Sequence, residues 1–248
     1  MVTAKVEAPE VPRTPLRHLH DTQVSLEKLR ISLGNRCSAI ARGVDGADQP
    51  VPEVYERLHE MADQMEGEID DAIAVELTRW PVYQEWLVHV KGIGPSLAGQ
   101  MLALLLPPIP SKGPSSWYKA AGLAPEQRPD GLMRLPRARA GEGKITYHPW
   151  LRRCLYNVAT SFVRNGGYYR EVYDRAKERL LALHEGDADW PPIRLDRAAR
   201  WKMVKMFLAH LWEAWCEAES IPARLPYIVE KYGHQHIPRP LPNGKAKI

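Results

Sequence analysis

Apolar side chains recur at steps of three and four residues in nearly every long segment of this chain, and that spacing limits what it can fold into. Leu26, Leu29, Leu33, Cys37 and Ile40 fall on one helical face, and Val54, Leu58, Met61, Met65, Ile69 and Ile73 on another. Residues three or four apart meet on one side of an α-helix, whereas a strand needs alternation. Few segments alternate, so the expected fold is all-α with minor β structure at most. Pro50 and Pro52 separate the two stripes, which therefore read as an antiparallel helical hairpin, a short coiled coil being one form of it.

The same pass divides the chain. Residues 1–15, rich in proline and small side chains, are expected to be a mobile tail, and 16–80 the hairpin. Residues 81–220 form a helical domain and 221–248 an extension. Within the domain, Pro81 opens a segment running to Leu106, and LPPIPSKGP is a loop by composition. Ser115 and Ser116 are expected to cap a short helix that stops near Gly122. Residues 124–149 lack a helical period and suit a long loop or small hairpin. Helices are expected at about 149–164, 167–184 and 196–219, the last burying Ala199, Met203, Met206, Phe207, His210, Leu211 and Ala214. No internal repeat is evident.

Composition enters where it excludes something. A 44% apolar content argues against wholesale disorder. No apolar run is long enough to span a bilayer, so no membrane partner is expected. The N-terminus lacks a signal pattern, and Cys37, Cys154 and Cys216 are widely spaced, so a reduced, cytoplasmic protein is expected. The net charge of +4 says little, but its distribution says more. Residues 53–76 hold nine acids and one base, Arg57, and read as a solvated acidic face. Residues 128–153 hold seven bases and two acids, so one part of the molecule attracts a polyanion that the other repels.

The sharpest local signal is WLVHVKGIGPSLAGQML, residues 86–102. Leu87 and Val90 precede Gly92-Ile93-Gly94, and Ala98, Met101 and Leu102 follow at helical spacing. Glycines permit backbone angles that side chains forbid and let a phosphate approach the main chain. Ile93 is placed to anchor the turn in the core. Pro95 suits the first turn of a helix whose free N–H groups and dipole face an anion. Lys91 adds charge and Ser96 a hydroxyl. The segment resembles the helix-hairpin-helix DNA-binding motifs, which grip backbone and read no base.

Beyond that motif, residues 85 to about 215 resemble the C-terminal transposase domain of the IS-one-ten insertion-sequence family. Three blocks carry the resemblance: VKGIGPSLAGQMLALL; SSWYKAAGLAP, residues 115–125; and HPWLRRCLYNVATSF, residues 148–162, with Leu151, Arg152, Leu155 and Ala159 at the matching positions. The resemblance implies DNA recombination, with a structured noncoding RNA as a further partner. It also implies a ribonuclease-H-like domain with metal-binding carboxylates and a serine nucleophile in the later domain. Residues 1–80 show no acidic β-strands of that kind, and no serine lies between Ser116 and Ser161. Thr146 and Tyr147 are the remaining hydroxyls in the basic loop, off the family's serine position. Magnesium is expected only if the chain is catalytic, and no other cofactor is visible.

Arg128, Arg134, Arg137, Arg139, Lys144, Arg152 and Arg153 are placed to line a phosphate track. Tyr147, His148 and Trp150 interleave with them and either stack on exposed bases or anchor the next helix. Arg194, Arg197, Lys202 and Lys205 give the last long helix a basic side. His210, Cys216, His234 and His236 lack the ligand spacing of a structural zinc site, and His210 falls on a buried face. Trp201, Trp212 and Trp215 belong to the core or a subunit interface. The expected function is sequence-tolerant DNA binding in transposition or recombination. The alternatives are an active recombinase with partner-supplied carboxylates, and an RNA-binding or architectural protein. Apolar seams on the hairpin also suit a homo-oligomer.

Overall fold

In the computed structural model, residues 14–43, 50–109, 111–127, 131, 133–136, 145–223, 227–235 and 239–240 are described. Among them lie α1 (Pro15–Arg42), α2 (Glu53–Leu77), α3 (Pro81–Glu85), a 3-10 turn (Leu87–His89) and α4 (Pro95–Leu104). Then come α5 (Ser115–Ala120), β1 (Glu126–Gln127), β2 (Met133–Arg134), α6 (Pro149–Asn165), α7 (Tyr168–Leu183), α8 (Pro192–Ala218) and α9 (Tyr227–Tyr232). Among the described residues the fold is all-α with one two-stranded antiparallel sheet, β1 against β2. None of the described helices is long and apolar enough to cross a membrane.

Prolines start the helices where their missing N–H costs nothing, as at Pro15, Pro149 and Pro192. Thr14 caps α1 by accepting from Arg17 N at 3.2 Å. α8 begins about four residues before the expected start because Pro191-Pro192 already has the φ a first turn needs. The expected serine caps of α5 are not made. Pro114 begins the turn one residue earlier, so Ser115 and Ser116 fall inside it, and Ser116 Oγ donates instead to Gly113 O at 2.9 Å. The helix does stop at Gly122, whose φ of 67° lets Leu123 N return to Tyr118 O at 2.7 Å.

α1 and α2 form the expected antiparallel pair. Gln23 reaches Asp70, Arg30 reaches Glu66 at 2.6 Å, and Gly34 abuts His59, partners that retreat along α2 as α1 advances. The inward face is only partly the expected one. Leu33 and Ile73 of the expected stripes are buried, but Leu29, Val54, Leu58, Met61 and Met65 are exposed, and Ala62 and Leu77 are buried in their place. A small residue at the seam lets the helices approach, and the larger stripe is rotated outward as a consequence. Glu66 and Asp70 likewise leave the solvated acidic face to pair across the seam.

The core is built on α8, whose buried Met203, Val204, Phe207, Leu208, Leu211, Trp212 and Trp215 meet every neighbouring layer. Trp117 packs edge-on against Trp212 with centroids 4.7 Å apart, and Phe162 stacks on Tyr169 at the same distance. Tyr169 Oη bonds to His210 Nδ1 at 2.9 Å, so His210 is a satisfied core histidine, as its buried stripe implied. From the hairpin, Leu16, Ile73 and Leu77 join this core. A Cβ on Gly99 of α4 would lie 2.4 Å from Ile73 Cγ2. Only a glycine lets α4 and α2 come this close.

Candidate nucleic-acid interface

The turn between the 3-10 segment and α4 is fixed by few contacts. Leu87 and Val90 are buried, Ile93 N donates to Val90 O at 3.0 Å, and Ile93 itself points into the core. Gly92, third in this four-residue turn, has φ of 94°, the left-handed region a type II turn requires there. A side chain at that point would also meet Phe162 Cδ1 at 3.3 Å and Ser161 Oγ at 3.4 Å. Gly94 differs: its φ is −91° and nothing lies within 4 Å of where a Cβ would stand. The first glycine is required by the fold; the second leaves an opening.

That opening sits at the start of α4. The first backbone bond of the helix runs from Ala98 N to Gly94 O at 3.0 Å, and no side chain caps the end. The Ser96 and Leu97 amides therefore face outward at the positive end of the helix. Gly92, Ile93, Gly94, Pro95, Ser96 and Leu97, with Ser161 and Asn165 of α6, line a shallow depression of about 400 Å³. Ser96 Oγ accepts from Gln23 Nε2 at 3.1 Å, which leaves the hydroxyl proton free to be donated. Gln23 Nε2 also bonds to Asp70, standing between that carboxylate and the loop. Burial pushes the Asp70 carboxyl above its usual range despite the bond from Gln23. Lys91 is exposed, its stem running beside Gly167.

Two residues of this depression carry no sequence signal. Ser161 Oγ donates to Gly92 O at 2.5 Å, and Asn165 Nδ2 donates to Ser161 O at 2.9 Å and to its Oγ at 3.0 Å. Ser161 is half-buried and clamps the turn to α6.

The basic segment divides. Arg128, Arg137, Arg139 and Lys144 lie outside the described residues, as does His236. Arg134 stands in β2 opposite Glu126. Arg152 faces inward: Nη1 donates to Pro136 O at 2.6 Å, and the guanidinium lies 4.9 Å over the Tyr147 ring. Tyr147 and His148 are anchors. A Cβ on Gly122 would reach 2.7 Å from Tyr147 Cγ, and His148 Nδ1 accepts from Leu151 N at 3.2 Å to cap α6. Burial, with Arg17 adding repulsion, holds His148 below the usual imidazole range. Trp150 and Arg153 remain exposed. Thr146 Oγ1 donates to Glu126 Oε1 at 2.8 Å, pairing that hydroxyl with a carboxylate at the surface.

On the last long helix, Lys205 is largely enclosed, and burial lowers its ammonium from the usual range, with Lys202 nearby adding to the shift. Burial pushes the Cys154 thiol up to about 12 and Cys216 to about 11, so neither is a ready thiolate. No protein-family model matches the chain, and no curated protein matches its sequence.

Proposed function

We propose that this chain binds duplex DNA through the sugar–phosphate backbone, without reading sequence, in the transposition or recombination of a mobile element. The binding half rests on one observation above all. At the N-terminus of α4 the outward Ser96 and Leu97 amides border a depression that is bare beside Gly94. A phosphate seated there takes two or more N–H donors at the positive end of a helix, with the Ser96 hydroxyl beside it and the exposed Lys91 just before the lining residues in the chain. All of these groups contact backbone, so affinity is independent of base sequence and falls as counterions compete. The recombination half rests on the resemblance of the three sequence blocks to the IS-one-ten transposase domain.

The test is fluorescence anisotropy of a labelled duplex across a salt series, for the native chain and Gly94→Val. The expected result is a log–log salt slope of roughly −0.9 for each phosphate neutralised, equal for unrelated sequences, and weakened binding by the variant. A native chain that ignores duplex DNA at low salt refutes the proposal.

A further inference from the structure

A second concavity lies between the middle of α1 and the start of α6, on residues the duplex reading does not use. It encloses about 480 Å³ and is lined by Val24, Lys28, Ile31, Ser32, Asn35 and Ala39 from one side, with Glu27 and Arg36, and by Trp150 and Arg153 from the other. That volume falls in the range that holds a small ligand. Its chemistry is uneven in an informative way. Trp150 is 40% exposed, a large aromatic ring left open beside apolar Val24, Ile31 and Ala39. Ser32 and Asn35 supply hydrogen-bonding groups one turn apart. Lys28, Arg36 and Arg153 supply three positive charges against the single carboxylate of Glu27. Lys28 Nζ rests 4.8 Å from the Trp150 ring centre and the Arg153 guanidinium 5.7 Å from it. Neither these two nor Arg36 forms an ion pair among the described residues.

We propose that this groove receives one unpaired nucleotide, its base stacked on Trp150 and its flanking phosphates held by Lys28, Arg36 and Arg153. An aromatic face, neighbouring amide and hydroxyl groups, and surplus cations along the rim are the combination that single-stranded nucleic acid requires. An acidic or apolar peptide would leave one of these elements unused. Lys28 covers the ring in the free protein, so the exchange must be weighed. An exposed cation–π contact is worth roughly two- to fivefold in a binding constant, and a base stacked on an aromatic ring roughly five- to 150-fold. Stacking therefore displaces the ammonium, which swings onto the phosphate. Along α1 the groove begins directly after Gln23, the residue that touches Ser96. The groove stands on its own residues and does not depend on duplex binding.

The experiment compares labelled dT12, rU12 and a blunt duplex by anisotropy against the full chain and four variants. Trp150→Ala is expected to bind dT12 about tenfold more weakly, within the stacking range, and to bind duplex as the native chain does. Trp150→Tyr retains most of the dT12 affinity, and Arg36→Ala loses part of it. Gly94→Val does the reverse, losing duplex and keeping dT12. Tighter binding of rU12 than dT12 identifies RNA as the source of the nucleotide, and equal or weaker binding identifies DNA; either supports the groove. The proposal is overturned if Trp150→Ala binds dT12 like the native chain, or if the alanine and tyrosine variants lose it equally. Should Trp150→Ala fail to fold, Arg36→Ala decides, since that guanidinium does not cover the ring, and unchanged dT12 affinity there overturns the proposal.

Discussion

Gly92 and Gly94 stand two residues apart in one loop, and their single alanine variants are expected to move stability in opposite directions. At Gly92 the φ of 94° places an alanine in left-handed backbone, at a cost of about 1–2 kcal/mol. Phe162 and Ser161, 3.3 and 3.4 Å from the new Cβ, add crowding. For a chain of this size about 1 kcal/mol moves the thermal midpoint by roughly 2–4 °C, so Gly92→Ala is expected to melt about 2–8 °C lower. At Gly94 the backbone is extended and the new methyl meets nothing. Removing a glycine from the unfolded chain then stabilises by about 0.4–1 kcal/mol, raising the midpoint by roughly 1–4 °C. Yet that methyl projects where a phosphate would approach. Losing one hydrogen bond to a charged group costs about 1.5–3 kcal/mol, or roughly ten- to 150-fold in duplex affinity. A variant that is more stable and binds worse cannot be explained by damage to the fold. Differential scanning fluorimetry and anisotropy on the same samples read both quantities. If Gly94→Ala keeps native affinity, the loop is only a tight turn and the reasoning fails.

Gly99→Ala is expected to destabilise strongly, by about 1–3 kcal/mol or more as overpacking, because its methyl would overlap Ile73; a midpoint within 1–2 °C of native would contradict the close α2–α4 contact. Burial, reinforced by Arg17, holds His20 and His148 below the usual imidazole range, so both take up protons more readily when unfolded. Their contribution is full above about pH 6.5 and is lost as pH falls below it. The thermal midpoint should therefore drop between pH 7.5 and 5.5 and drop less in His20→Gln; a flat native profile would count against it. Asp70, whose carboxyl burial pushes upward, acts in the opposite sense nearer pH 4.

The apolar spacing located the long helices to within a few residues, and the buried Leu87, Val90, Ile93 and Ala98 of the hairpin loop were legible from the same pattern. The facing of α2 was not. Its larger apolar residues signal strongly in sequence, but helix approach is decided at Ala62, which signals weakly. Nor does sequence reveal Ser161 and Gln23, whose contacts with Gly92 and Ser96 span 69 and 73 residues. Local spacing reports which face of a helix is apolar; it does not report which distant polar group that face will carry to a loop. The serine caps failed for a nearer reason, since Pro114 could take the first helical turn before either serine did.

The helical hairpin enters the main buried cluster at one end only, its outer part meeting α6 at the open groove beside Trp150. Leu16, Ile73 and Leu77 enter the main buried cluster, whereas Leu33 and Ala62, farther out, are buried outside that cluster. A segment with so little shared apolar surface behaves as its own cooperative unit, opening at a lower free energy than the rest. In hydrogen exchange its outer amides are the first of the long helices to lose protection, while Gln23 and the contact with Ser96 stay with the slow core. Whatever grips Val54, Leu58, Met61 and Met65 would register as slowed exchange there, without any change at the depression beside Gly94.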